Sequence, residues 1–153
     1  MNPEIELDIQ RGKDFSLSDY PHQPEKYHIT THFRQRMKDP ERFLSGEVIA
    51  RTFTCGALRV NEDGCAAFNW TRGDGVEYWL LAGFHEAGYR IAITAWPYLR
   101  DRQKALDSYR WTKAEIDTIE AFNQKKLRYG PLEHQYPDYI KWSQQNPHGG
   151  LVA

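Results

Sequence analysis

Four apolar-rich runs in the middle of the chain, residues 58–60, 65–70, 76–84 and 89–96, are separated by spacers too short for anything but a turn. The spacers are Asn61-Glu62-Asp63-Gly64, Arg72-Gly73-Asp74-Gly75 and His85-Glu86-Ala87-Gly88, and each holds the Gly or Asp-Gly that a tight reversal requires. Strands joined in this way pair antiparallel with their sequence neighbours. The spacing therefore predicts a four-stranded antiparallel meander.

The flanks have a different period. Glu4 to Ile9 alternates acids with Ile5, Leu7 and Ile9, as in an edge strand, and residues 10–26, with Gly12, Pro21 and Pro24, read as a loop. Residues 27–30 are a short strand candidate. Thr31 is placed as N-cap of a helix that carries His32, Phe33, Arg34, Arg36 and Met37 and stops at Asp39-Pro40. Ser45 caps a second helix with Val48, Ile49, Thr52 and Phe53 inward, ended by Gly56 in a left-handed conformation. Beyond Pro97 the helical period returns with Leu99, Arg102 and Leu106. Thr112-Lys113-Ala114-Glu115 is a capping box opening a helix that presents Ile116, Ile119 and Phe122 and closes at Gly130-Pro131. Tyr136, Tyr139 and Trp142 suggest a short packed turn before the end of the tail.

A chain of 153 residues with 40% hydrophobic content matches one α+β domain with a core of its own. No apolar run approaches the roughly 20 residues of a membrane span, and the N-terminus carries acids where a secretory signal carries bases, so a cytoplasmic protein is expected. Cys55 and Cys65 lack any CxxC context and read as buried thiols. The net charge of −1 conceals segments: residues 26–60 hold seven bases and three acids, and residues 100–128 hold eight and five. These zones can converge into a patch for an anionic partner such as RNA, or remain solvated helix faces.

Strict alternation along residues 89–96 would send Tyr89, Ile91, Ile93 and Ala95 into a core beneath helices. Arg90, Ala92, Thr94 and Trp96 would then share the other face, where Arg59 can join them. That second set offers phosphate contact and base stacking if the face is a cleft, or is simply the solvent side of a sheet. His32 and Arg36, one helical turn apart, pair a proton-transfer group with a phosphate holder, although the same spacing suits a capping or core histidine. His28-x-x-x-His32 invites a metal reading. Residue 28 falls in the strand and residue 32 in the helix, so no metal site is assigned.

Three features in order carry a resemblance: the helix with His32, Arg36 and Met37, the second helix ending in Cys55-Gly56, and the meander closing on Ile93-Thr94-Ala95-Trp96-Pro97. Together they resemble the RelE/BrnT-like toxin superfamily, in particular a small branch with a His-x-x-x-Arg-Met helix. The similarity spans about residues 27–107. It leaves residues 1–26 as an N-terminal strand and loop, and 108–153 as a C-terminal helical extension and tail of the same domain. Ser45-Gly46-Glu47-Val48-Ile49 departs from the usual start of the second helix. The resemblance implies a RelE-like fold with helices on one face of the sheet, metal-independent cleavage of RNA without a cofactor, and a neutralising antitoxin or other protein partner. Carried over, His32 and Arg36 match the signature as catalytic residues, and Arg90 and Thr94 join them by strand position. Arg34, Arg59, Trp96, Arg100 and Arg102 then form the RNA-contacting set. The alternative is a catalytically silent module of the same fold that binds RNA or a protein.

Overall fold

The computed structural model describes residues 8–10, 14–61 and 64–127. Its elements are β1 (His28–Ile29), α1 (Thr31–Met37), α2 (Gly46–Cys55), β2 (Ala57–Val60), β3 (Ala66–Thr71), β4 (Val76–Phe84), β5 (Arg90–Leu99), α3 (Arg102–Asp107) and α4 (Lys113–Phe122). A π-helical turn, Asn123–Leu127, continues α4. The expected strand over residues 4–9 falls mostly outside the described residues; of its two described residues, Ile9 forms an isolated bridge to His85. Gly130-Pro131, Tyr136, Tyr139 and Trp142 also lie outside them.

The meander β2 to β5 forms as the glycine spacers require, but the sheet is larger than four strands. Its order is β1-β5-β4-β3-β2, and β1 lies parallel to β5 through His28 opposite Ile91 and Ile29 opposite Ala92. The architecture is α+β with a mixed five-stranded sheet. At the β3–β4 turn, Gly75 has φ +87, and a Cβ there would meet the Ala105 backbone nitrogen at 2.5 Å. Glycine therefore lets α3 sit directly on the turn.

Both faces of the sheet are buried. On the helix face, Phe33 of α1 and Ile49 and Phe53 of α2 pack against Ala66, Phe68, Leu80, Ala82, Ala92 and Ala95. On the opposite face, Cys65, Ala67, Trp79, Leu81, Ile91, Ile93 and Trp96 cluster with Phe122. A third cluster joins Val48 of α2, Trp70, Val76 and Tyr78 to Ala105, Ile116 and Ile119. Helix α4 thus contributes Ile116 and Ile119 to one cluster and Phe122 to another.

The alternation expected along β5 is broken by a bulge. Leu81 pairs with Thr94 and Ala82 with Ala92, which leaves Ile93 as the extra residue. Ile91, Ile93, Thr94 and Trp96 therefore belong to one face, while Ala92 and Ala95 belong to the helix face. The strand also runs on to Leu99, past the expected end at Trp96. Pro97 is tolerated because β1 covers β5 only at Ile91 and Ala92, so Pro97 lies at a free edge where no N–H is required.

Two helix ends differ from expectation. Thr30, not Thr31, caps α1: its hydroxyl oxygen accepts the Phe33 N–H at 3.0 Å and also donates to the Ala92 carbonyl at 2.9 Å. Gly56 closes α2 in an extended conformation (φ −71, ψ 145), not a left-handed one. Its lack of a side chain is steric, since a Cβ there would collide with the Thr52 carbonyl oxygen. Ser45 and the Thr112–Glu115 capping box stand where the sequence placed them. Cys65 is buried and Cys55 half-buried, without a disulfide.

Candidate functional site

Helix α1 is short, and the Thr30 side chain fixes both its start and its contact with β5. Phe33 and Met37 turn inward, which leaves His32, Arg34, Gln35 and Arg36 toward the margins and solvent. No acidic residue occurs in the helix, and Lys38 follows at its end. Arg34 and Lys38 are exposed, while His32 and Arg36 are half-buried. The Arg36 Nε is shielded from water without a hydrogen-bond acceptor. An anion does not reach that nitrogen in this conformation, and the His32 Nε2 is shielded from water in the same way.

Arg90 lies on the helix face at the start of β5, where its Nε donates to the Asp19 carbonyl at 2.6 Å and its guanidinium stands 5.5 Å from the Phe84 ring. It also opposes the burial that pushes the Tyr27 phenol pKa upward. Thr94 is separated from α1 by the sheet, because the bulge turns it to the opposite face. The four residues expected to be catalytic are thus divided: His32 and Arg36 share α1, whereas Arg90 and Thr94 stand apart from each other.

The opposite face gathers several of the expected RNA contacts in register. Arg59 pairs with Ala67, Ala67 with Leu81 and Leu81 with Thr94, forming one row across four strands. In the next row Asn69, Trp79 and Trp96 lie side by side, the two indoles stacked at 6.4 Å and 14°. Trp96 is only 3% exposed, however, so a base cannot reach it in this conformation. Arg100 pairs with Glu77 at 3.0 Å, and the Glu77 side chain is wholly buried. Its guanidinium offsets a carboxylate removed from water. Two buried polar atoms on this face, Thr94 Oγ1 and Asn69 Oδ1, have no hydrogen-bond partner.

Arg102 belongs to a helix-to-helix pairing instead. It meets Asp117 at 2.6 Å and Glu120 at 3.6 Å on α4, which raises its own pKa and holds the Asp117 carboxyl below the usual range. Of the expected RNA contacts, Arg34 is both exposed and without an ionic partner among the described residues. Lys38 and Arg51 share that state and were not singled out in the sequence. Their signal was available: Lys38 lies four residues after Arg34, and Arg51 falls on the polar side of α2.

His28 lies in β1 with its ring 4.7 Å from that of Tyr89, and no group of three metal-ligating side chains occurs among the described residues. Among those residues, no helix is long and apolar enough to cross a membrane. The fold and this surface define an α+β domain with a cationic helix laid over one side of a mixed sheet. No known protein family, curated protein or solved structure matches the chain.

Proposed function

We propose that this protein binds RNA through α1. The observation that carries the reading is the composition of that helix: His32, Arg34 and Arg36 within seven residues, no acid among them, and Lys38 directly after. The exposed acids nearest in the chain, Glu25 and Glu41, lie before and after the helix, and Asp39 is paired with Arg42, so positive charge concentrates on α1 itself. A phosphate backbone is recognised by such a concentration of donors, with Arg51 of α2 as a further contact in the same helical layer. The RelE-like relation belongs to this proposal. The meander and the two helices on one of its faces support it, and β1 is an addition to that plan.

The test is binding of a labelled single-stranded RNA across a salt series. Arg34→Glu with Lys38→Glu should weaken binding about tenfold or more and flatten its dependence on salt, because fewer counterions are released. Equal binding by the wild type and this double variant would overturn the reading.

A second reading is RNA cleavage, favoured by the one-turn spacing of His32 and Arg36. The imidazole would move the proton of a 2′-hydroxyl while the guanidinium holds the phosphate. Incubation with RNA in EDTA separates the two: cleavage lost in His32→Ala supports catalysis, whereas intact RNA with the wild type leaves binding alone.

A further inference from the structure

The loop between α3 and α4 carries a side chain that the fold does not use. Tyr109 is 95% exposed, with a backbone φ of +56 that L-residues rarely adopt. Its ring meets no other aromatic ring or cation among the described residues, so packing does not explain the choice of tyrosine here.

The residues around it are firmly held. Ser108 Oγ donates to the Ala105 carbonyl at 2.8 Å and accepts the Arg110 N–H at 3.2 Å. Trp111 Nε1 donates to Asp74 Oδ2 at 3.1 Å, and Arg110 Nε lies 3.3 Å from the same oxygen. Asp74 is itself buried and accepts the Val76 N–H. Both residues that follow Tyr109 are therefore tied to one anchor at the β3–β4 turn, and the phenol is presented to solvent from a fixed base.

We infer that Tyr109 is a stacking platform for an unpaired nucleobase, with the half-exposed Arg110 beside it for the adjoining phosphate. The inference rests on the RNA-binding reading and extends it to single-stranded RNA. A protein partner would want a contiguous apolar patch around such an anchor. Among the described residues the other large exposed apolar side chain is Leu17, in the N-terminal 3-10 turn Leu17–Asp19. A base needs only one open π-face and a nearby cation. Arg72, whose guanidinium stands 5.5 Å from the Trp70 ring, adds positive charge on the β3–β4 turn that supports the loop.

The experiment compares wild type, Tyr109→Ala and Tyr109→Phe for binding to a labelled single-stranded RNA, with circular dichroism as a control for folding. Tyr109→Ala should weaken binding about tenfold. Its salt dependence should stay parallel to that of the wild type, and Tyr109→Phe should bind as the wild type does. Tyr109→Ala binding as tightly as the wild type would overturn the stacking role alone. Absence of RNA binding by the wild type at low salt would overturn this inference together with the reading beneath it.

Discussion

Asn123 pairs with Pro97 as a strand would. Its Nδ2 donates to the Pro97 carbonyl at 2.7 Å, and its Oδ1 accepts the Leu99 N–H at 2.8 Å. One side-chain amide thus satisfies two backbone groups on the free edge of β5, next to the Ala95 carbonyl, which takes a 2.8 Å bond from Arg42 Nη1. Asn123→Ala should lower stability by about 1–3 kcal/mol, since both backbone groups lose their partner. Urea denaturation measures it, and an unchanged midpoint would show that water replaces the amide at no cost.

The Glu77–Arg100 pair should respond asymmetrically to substitution. Arg100→Ala leaves a carboxylate with no exposed surface without that guanidinium, and a loss of about 3 kcal/mol is expected. Glu77→Gln combined with Arg100→Met should cost less than Arg100→Ala alone. Equal losses in the two variants would show that the guanidinium contributes packing rather than charge.

Thr94 separates a structural from a chemical role. Its buried hydroxyl finds no partner, so Thr94→Val should leave stability unchanged or raise it by up to about 1 kcal/mol. If the wild type cleaves RNA, the valine variant should retain that activity, because the bulge holds Thr94 on the face away from α1. Loss of cleavage in a folded Thr94→Val protein would return this residue to the reaction.

Asp117 gives the α3–α4 contact a defined dependence on pH. The hydrogen bond from Arg102 depresses its folded pKa below the reference of 3.8, with a smaller share from the Lys113 charge. A depressed carboxyl stabilises the fold above the unfolded value, and that contribution disappears as pH falls through the lower folded value. Carboxyl NMR should show Asp117 titrating below the reference in the wild type and moving back toward it in Arg102→Gln.

The meander was legible because Gly64, Gly75 and Gly88 punctuate it at strand-length intervals, and Ser45 and Thr112 marked their helices by cap chemistry that is local in sequence. What escaped was non-local or silent. Ile93, Thr94 and Ala95 give no sign of a bulge, since two β-branched residues and an alanine suit either face, and that one extra residue separates Thr94 and Trp96 from Arg90 and Ala92, and Ala95 from Ile91 and Ile93. The parallel docking of β1 depends on partners far along the chain. Glu77 sits as an acid inside an apolar run, a signal of a buried charge that the reading of 76–84 as a plain strand passes over. The α1 cations could be read as residue types from the sequence, but their exposure and lack of ionic partners required the fold.

The Thr30 hydroxyl meets the Ala92 carbonyl across 62 residues of chain. Closing so long a loop costs entropy before any contact repays it, whereas each hairpin of the meander closes across a few residues. The meander should therefore organise first, and β1 with its helix should dock after the rate-limiting barrier. In stopped-flow experiments Thr30→Ala should speed unfolding and leave the refolding rate nearly unchanged, while a matching slowdown in refolding would place β1 in the nucleus. On this order of events, the helix that carries the cations takes its place only once the sheet beneath it exists.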